Sequence, residues 1–223
     1  MWFFNKKRKL YKDFENYVPK GVIDKIINND PEYLDDILQS TEKFLSVSFT
    51  NINGYVDIAE KLELTDLKLY MDKYYKLITD IIIKNHGVID KFEGDNIFAE
   101  YGLFEKEDIC QKACISALEQ MGIIDQEFNP WAEVKKYPKL DIRIGIGSGD
   151  LMVGNFGDSK NGVYDFTVMG NVVSITSYLT EKSKQYSPRI LIDEITANNI
   201  DKFELDEIIS EKNYKYYHLK GKK

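Results

Sequence analysis

The sequence predicts an α+β fold in which a mixed, mostly antiparallel sheet carries its helices on one face. Hydrophobic residues make up 43% of the chain and aromatic residues 13%, which is enough to form a buried core. Segments with an apolar period of two alternate with longer segments of helical period. Their order is strand, two helices, hairpin, helix, strands, helix, strand, and such an irregular order is typical of α+β domains.

The first part of the chain is predicted to be helical and separate from the sheet. Between residues 9 and 27, apolar residues recur at helical spacing and are interrupted at Pro19, which predicts two short helices. A polar, acidic connector follows over residues 28–39. We therefore expect residues 1–39 to form an N-terminal helical lead-in and connector, and residues 40–223 to form the main domain.

The main domain begins with a strand and two helices. An apolar run over residues 43–50 predicts a buried strand. Gly54 then permits a sharp change of direction into a short helix. The next helix is the longest amphipathic segment of the chain, with Thr65 as its expected N-cap. We expect Gly87 to stop it, and His86 to lie at its end.

A tight hairpin follows the long helix. Apolar residues alternate over residues 88–92 and 97–101, on either side of Gly94 and Asp95. This pattern predicts two strands joined by a Gly-Asp turn. The turn places the Asp95 carboxylate at the tip and leaves Lys91 on the strand beside it. A Gly-Asp pair in this position forms a competent turn whatever the protein does.

The second half of the domain returns to the sheet. A helix is predicted over residues 105–121. Residues 125–139 are predicted to be an irregular loop in which Trp131 is a packing anchor. Gly149 and Asp150 are expected to turn the chain between two strands. The remaining predicted elements are strands at 141–147, 151–156, 164–169 and 189–192, helices at 171–184 and 196–200, and a final hairpin of 203–208 with 214–219. This order is that of a ferredoxin-like, split βαβ architecture.

Charge and cysteine content narrow the functional classes. The net charge of −7 argues against general nucleic-acid binding, which needs a basic surface. Cys110 and Cys114 are expected to be reduced core residues of a cytoplasmic protein, with a disulfide or a metal pair as the alternative. No apolar run reaches the length of a transmembrane segment. The basic run Lys6–Lys9 permits weak peripheral contact with an anionic membrane, or is a solvated terminus.

Several sequence blocks agree in order and spacing with one family. They are Val47-Ser-Phe-Thr-Asn-Ile-Asn-Gly54, Asp90-Lys-Phe-Glu-Gly-Asp95, Arg143-Ile-Gly-Ile-Gly-Ser-Gly149, Val153-Gly-Asn-Phe-Gly157, Asp165-Phe-Thr-Val-Met-Gly-Asn-Val-Val173 and His218-Leu-Lys-Gly221. Over residues 43–219 the chain resembles the class III adenylate/guanylate (nucleotidyl) cyclase catalytic domain, as a divergent member. The resemblance implies the class III cyclase fold.

The resemblance also implies a reaction. In this family a ribose 3′-hydroxyl attacks the α-phosphate of a nucleoside triphosphate and expels pyrophosphate. Two divalent cations, Mg²⁺ or Mn²⁺, activate the hydroxyl and neutralise the triphosphate. The active site lies between two head-to-tail subunits. The implied partners are therefore a nucleoside triphosphate and a second subunit, in a homodimer or in a heterodimer with a related cyclase chain.

The family's metal positions are only partly retained. Asp95 matches the second metal carboxylate, and the main-chain carbonyl of Ile52 matches a backbone ligand. The first metal carboxylate falls on Asn51, whose amide oxygen can coordinate Mg²⁺ but brings no charge. Asn51 as a cap of the following turn, and Asp95 as a plain turn residue, are the alternatives.

The base-reading and transition-state positions also differ in how well they match. Lys91 and Thr167 match the pair that reads an adenine edge in adenylate-making members. The family's ribose-orienting Asn falls on Ser174 and its phosphate-binding Arg on Tyr178. Lys182 lies one helical turn beyond Tyr178 and is a candidate for the missing cation. Each of these side chains also has a purely structural interpretation as an ordinary strand or helix-surface residue.

Three functions stay open on the sequence alone. The first is a nucleotidyl cyclase that makes a 3′,5′-cyclic nucleotide, with ATP favoured by Lys91 and Thr167. The second is a pyrimidine cyclase that uses UTP or CTP in a phage-defence signalling system. The third is a catalytically silent cyclase-homology domain that binds nucleotide or mediates dimerisation, as the replacements at Asn51, Ser174 and Tyr178 suggest.

Overall fold

The computed structural model describes residues 40–158, 161, 163–185, 189–209 and 215–222. They fall into two compact units. One comprises Lys43–Leu151 and Met169–Lys223, and the described residues of the other lie at 40–42 and within Met152–Val168. The predicted lead-in and connector, residues 1–39, lies outside the described residues. Its boundary at residue 40 stays a prediction.

Strands and helices follow one another in nearly the predicted order. The strands are β1 (Thr41–Ile52), β2 (Gly87–Glu93), β3 (Asn96–Tyr101), β4 (Ile142–Asp158), β5 (Val163–Met169), β6 (Ile190–Asp193), β7 (Phe203–Ile209) and β8 (Lys215–Lys222). The helices are α1 (Tyr55–Lys61), α2 (Leu64–Lys84), α3 (Ile109–Ile123), α4 (Asn129–Lys135), α5 (Asn171–Gln185) and α6 (Glu194–Asn198), with a π-helix at Ile124–Phe128 between α3 and α4.

Within the described residues the strands form one mixed sheet. Its order is β2-β3-β1-β4-β6-β8-β7, and β5 pairs with β4. The β1–β3, β2–β3, β6–β8 and β7–β8 pairs are antiparallel, whereas β4 and β6 are parallel. The predicted α+β class with a mixed, mostly antiparallel sheet is confirmed.

The main core lies on the sheet face that α2 and α3 cover. Alternate residues of β4 and β6 point into it, as the period of two requires. Its fully buried members include Tyr70, Tyr74, Ile78 and Ile82 of α2, Ala113 and Cys114 of α3, and Ile142, Ile144, Ile146 and Ile192 of the sheet. The amphipathic stripe of α2 is therefore buried along most of its length.

Helix α5 departs from the expectation that the helices share one face. Ile190 and Ile192 belong to the main core, but the intervening Leu191 packs with Leu179 of α5 in a second cluster. Successive strand residues point to opposite faces, so α5 lies on the face opposite α2. Gly145 allows this approach, because a Cβ there would lie 2.4 Å from the Thr176 carbonyl oxygen.

The segment predicted as an irregular loop over residues 125–139 is largely helical, so that prediction is wrong. The π-helix and α4 occupy most of it, and Pro130 is tolerated because it stands in the first turn of α4. Trp131 is the packing anchor that the sequence predicted. Its ring contacts Phe128 at 5.3 Å and Tyr137 at 5.6 Å between centroids. This aromatic packing stabilises a helical conformation that the local sequence does not specify.

The predicted turn at Gly149 and Asp150 is also wrong. Strand β4 continues without interruption through both residues. The glycine has a packing role instead: an added Cβ would lie 2.9 Å from the Cγ2 atom of Val172 on α5. A glycine that makes room for a helix has the same local signature as a glycine that turns the chain.

Three helix termini differ from the predictions. Glu63, not Thr65, is the N-cap residue of α2. His86, with φ of 61°, takes the left-handed conformation after that helix, whereas Gly87 is already the first residue of β2. Helix α3 begins at Ile109, because Asp108 has φ of 53° and interrupts the predicted helical run.

The short helix α6 is fixed by a buried carboxylate. Asp193 accepts hydrogen bonds from the backbone N–H of Thr196 at 2.8 Å and of Ser148 at 3.2 Å. Burial raises the pKa of Asp193 above its usual value. A carboxyl with a raised folded-state pKa favours folding at low pH, and its contribution declines as the pH rises through that pKa.

Cys110 and Cys114 are buried and unbridged, as predicted. Burial raises the pKa of the Cys114 thiol far above its usual value, which makes it an unreactive core residue. Among the described helices none combines the length and apolarity that a membrane span requires.

We expect Gly145→Ala to lower the free energy of unfolding by roughly 1–3 kcal/mol, because its methyl group forces α5 away from β4. Urea denaturation measures this change. Gly221→Ala is the matched control, since an added Cβ there meets no atom within 4 Å. A Gly145→Ala protein as stable as the control would show that α5 does not lie directly on the strand.

Candidate active site

The candidate site forms where β1 ends beside the β2–β3 turn. Antiparallel pairing places Thr50 of β1 opposite Ile97 of β3, so the residues beyond each lie together. The turn itself is Gly94 and Asp95, and Gly94 takes the left-handed conformation with φ of 60°. This register brings Asn51 and Asp95 into contact, as the sequence blocks require.

Asn51 uses its amide nitrogen to tie the two segments together. The Asn51 Nδ2 atom donates to Asp95 Oδ2 at 2.6 Å and to Asn96 Oδ1 at 2.7 Å. The backbone N–H of Ile52 donates to the same Asp95 oxygen at 3.1 Å. Because both contacts of Nδ2 are to acceptors, the nitrogen must face the turn, and the oxygen must face away.

The Asn51 oxygen has no such partner. The residue is only 4% exposed, and its Oδ1 atom is buried without a hydrogen bond from any described residue. A buried polar atom without a partner costs about 1–3 kcal/mol, so such atoms are rare. This oxygen is an unused acceptor beside the turn.

Two tyrosines of α2 donate hydrogen bonds to the backbone of the β2–β3 turn. The Tyr74 hydroxyl donates to the Asp95 carbonyl oxygen at 3.0 Å and also lies 3.5 Å from the carbonyl oxygen of Thr50. The Tyr75 hydroxyl donates to the Gly94 carbonyl oxygen. Tyr74 therefore contacts both backbone segments, the end of β1 that carries Asn51 and the turn that carries Asp95.

The hydroxyl of Tyr74 stays protonated at any physiological pH. Burial raises its pKa well above the usual value, and the negative charge of Asp95 raises it further. The side chain is fully buried, so the hydroxyl has no access to water in place of these carbonyls. It is a permanent donor to the turn.

The side chains present fit a cation shared with substrate phosphates. Among the described residues there is no group of three His, Cys, Asp or Glu side chains that could hold a metal by themselves. Asp95 supplies one carboxylate, and Asn51 supplies one unpartnered amide oxygen that would face the turn after rotation of the side-chain amide. Mg²⁺ in proteins is commonly held by one or two carboxylates together with phosphate oxygens and water, so this set suits a nucleotide-bound cation.

Lys91 lies on β2 next to an acidic neighbour. Its Nζ atom is 3.3 Å from Oδ1 of Asp90, whose side chain is only 1% exposed. The β2–β3 register shifts between Ile89 and Lys91, and this irregularity places adjacent residues of β2 close together. The Lys91 ammonium group is therefore paired with a buried carboxylate.

The remaining predicted site residues lie on β5 and α5. Thr167 is half-buried on β5, in the smaller of the two compact units. Ser174 and Tyr178 are exposed on α5. The Lys182 Nζ atom lies 5.5 Å from the centroid of the Tyr178 ring, within range of a cation–π interaction. Two of the three predicted α5 residues, Tyr178 and Lys182, are therefore neighbours, with the lysine charge over the aromatic ring.

Sequence reasoning missed Tyr74, Tyr75 and Asn96. The two tyrosines occur in the apolar stripe of α2, where an aromatic residue is expected for packing alone. Asn96 follows the turn, where asparagine is common for local reasons. No sequence signal marks their hydrogen bonds to the site, because those bonds depend on how α2 packs on the sheet.

We expect Tyr74→Phe to lower the free energy of unfolding by about 1 kcal/mol and to loosen the turn, because the two carbonyls lose their buried donor. Hydrogen exchange should become faster at residues 93–96. Tyr101→Phe is the matched control: that tyrosine is equally buried, but its hydroxyl donates to Ser116. If both variants leave exchange at the turn unchanged, Tyr74 is not what positions it.

Comparison with known proteins identifies the family. The sequence-family model of the adenylate and guanylate cyclase catalytic domain matches residues 38–223. A curated adenylate cyclase of Anabaena cylindrica is 28% identical over 199 residues, which cover 88% of this chain and 38% of that protein. The chain thus spans less than two fifths of that relative's length.

Solved structures give the same fold. The adenylyl cyclase CyaB from P. aeruginosa superposes with a TM-score of 0.73 at 26% identity, over 83% of this chain and 97% of that one. A bacterial light-regulated adenylyl cyclase superposes with a TM-score of 0.83 at 20% identity, over 99% of this chain and 64% of that one. With its sheet order, its turn carboxylate and this match over most of its length, the chain belongs to the adenylate and guanylate cyclase catalytic domain family.

Proposed function

We propose that this protein is a nucleotidyl cyclase that converts a nucleoside triphosphate, with ATP favoured, into a 3′,5′-cyclic nucleotide and pyrophosphate. The observation that carries the proposal is the convergence of Asn51, Ile52 and Asp95 at the end of β1, where the Asp95 carboxylate accepts from the Asn51 side chain and from the Ile52 backbone N–H. Members of this class generally use divalent metals. We assign Mg²⁺ or Mn²⁺ to Asp95, Asn51 and the Ile52 carbonyl.

The reaction is an intramolecular phosphoryl transfer. The ribose 3′-oxygen forms a bond to the α-phosphorus, the bond from that phosphorus to the bridging oxygen breaks so that pyrophosphate leaves, and the 3′-hydroxyl proton passes to water. A bound divalent cation supplies charge neutralisation of the phosphates and lowers the pKa of the attacking hydroxyl. The chain's own contribution is to hold the Asp95 carboxylate in place through Asn51 and Tyr74.

Base selection is assigned to Lys91 and Thr167. Lys91 would donate to an adenine ring nitrogen, and Thr167 would meet the exocyclic amine. The contact between Lys91 and the buried Asp90 side chain supports a fixed ammonium position rather than a freely solvated one. These two matches favour ATP over the pyrimidine nucleotides UTP and CTP of phage-defence cyclases.

The phosphate-binding role is assigned to Lys182, with Tyr178 and Ser174 on the same helix. Tyr178 stands where the family has an arginine and carries no charge. The stacking of the Lys182 ammonium over the Tyr178 ring supports the view that the pair replaces it. The active form is assigned to a head-to-tail homodimer or to a heterodimer with a related cyclase chain.

A second candidate function follows from the Asn51 contact. The Asp95 carboxylate is already paired with a neutral amide at 2.6 Å, which suits a domain that no longer needs a cation. Such a domain would bind nucleotide or mediate dimerisation without catalysis. The two candidates differ in whether a cyclic product forms.

Incubation with each of the four nucleoside triphosphates and Mn²⁺ tests the proposal. We expect cyclic nucleotide and pyrophosphate from the wild-type chain, with ATP the preferred substrate. Asn51→Asp should raise the rate by roughly tenfold to a thousandfold, because it restores a charged cation ligand worth up to several kcal/mol in the transition state.

Asn53→Asp is the matched control for that variant, because Asn53 also donates to an aspartate, Asp141, at 3.0 Å but lies outside the proposed cation site. Its rate should stay at the wild-type value. If neither the wild-type chain nor Asn51→Asp forms a cyclic product, the cyclase proposal is rejected for the homodimer. Product from Asn51→Asp alone assigns the wild-type chain to the silent class.

Lys182→Ala tests the cationic replacement separately. We expect a loss of tenfold or more in kcat, since a donor to developing phosphate charge acts mainly in the transition state. Lys184→Ala is the control, because Lys184 pairs with Glu181 at 2.7 Å on the same helix. Equal rates for the two variants would remove Lys182 from the mechanism.

A further inference from the structure

The contacts of Asn51 have the form that a bound cation would impose on the turn. Its Nδ2 atom lies 2.6 Å from a carboxylate oxygen of Asp95 and 2.7 Å from the side-chain oxygen of Asn96. A positively polarised group thus lies between two oxygens, at a site where Asn51 is 4% exposed. Both hydrogens of the amide are used, and both acceptors are satisfied.

We propose that the Asn51 amide is a built-in substitute for a cation: it satisfies Asp95 in the nucleotide-free protein, so that free divalent cations do not bind and a cation enters only with nucleotide phosphates. This inference deepens the proposed function and rests on Asp95 being the cation-binding carboxylate of that function.

The energetic reason is a competition for one carboxylate. A free cation must displace the Asn51 and Ile52 donors from Asp95 and gains a single full charge in return. Removing water from Mg²⁺ has a high free-energy cost, and coordination by one carboxylate offsets only part of it. A triphosphate adds several negative charges, which shifts the balance toward the cation.

The unpartnered oxygen is the second observation. Rotation of the Asn51 side-chain amide exchanges Nδ2 and Oδ1, and it turns the buried Oδ1 atom toward Asp95. In the nucleotide-free state the oxygen has no partner among the described residues. In the nucleotide-bound state the oxygen would gain the cation as its partner, and Nδ2 would give up its bonds to Asp95 and Asn96.

The test measures thermal stability with MnCl₂ as the probe and no nucleotide. The wild-type Tm should be the same in EDTA and in excess Mn²⁺. Asn51→Asp should have a lower Tm in EDTA, because two carboxylates then face each other, and Mn²⁺ should raise it. A hundredfold excess of cation over its Kd corresponds to a rise of roughly 5–10 °C for a chain of this size.

Asn53→Asp controls for added charge. It places a carboxylate against Asp141 two residues farther along the chain, so it should show no Mn²⁺-dependent rise. Titration of free Mn²⁺ followed by electron paramagnetic resonance gives an independent count of bound ions: none for wild type and Asn53→Asp, at least one for Asn51→Asp.

Asn51→Ala keeps the inference testable if Asn51→Asp does not fold. It removes the substitute without adding charge, so its Tm in EDTA should fall below the wild-type value. The inference is overturned by a Mn²⁺-dependent rise in wild type equal to that of Asn51→Asp, by a similar rise in Asn53→Asp, or by an Asn51→Ala protein as stable as wild type in EDTA. These measurements involve no turnover, so failure of the cyclase assay does not affect their outcome.

Discussion

The hydrogen bond between Asn51 and Asp95 joins the end of the central strand β1 to the β2–β3 turn. The β1–β3 register ends at the Thr50–Ile97 pair, and beyond it the donors of Asn51 and Ile52 join the two segments through Asp95. The bond is short and partly buried, and the Tyr74 hydroxyl donates to the backbone carbonyl of the same Asp95. The helix α2 therefore supports the site as well as the core, and changes in its packing reach the turn through the hydroxyls of Tyr74 and Tyr75.

This interaction also sets the chemical character of the site. Two carboxylates at these positions would attract a cation and repel each other. Here one of them is an amide, so the repulsion is absent and the segments attract each other without a cation. The same replacement reduces the charge available for a metal. The attraction between the two segments and the low charge offered to a cation both follow from the neutral side chain of Asn51.

The sequence predicted most elements because their signals are local. Clear apolar patterns, bounded by turn-forming or helix-ending residues, mark the Gly-Asp hairpin, the long amphipathic α2 and the buried strand at the start of the domain. It was wrong at Gly149, at residues 125–139 and at the face that α5 covers. Those features depend on contacts between elements far apart in sequence: Gly149 with Val172, and Trp131 with Phe128 and Tyr137. Local patterns cannot distinguish such residues from ordinary turn and loop residues.

For the site, the ordered motifs indicated the family and predicted a site at Asn51 and Asp95, because residue identity and spacing along the chain are fully contained in the sequence. The tertiary structure alone decided that the Asn51 nitrogen faces Asp95, that its oxygen is buried without a partner, and that Tyr74 supports the turn. The physical reason is that hydrogen-bond direction depends on where three separate backbone segments meet. That meeting point is set by the packing of α2 against the sheet, which no single stretch of the chain specifies.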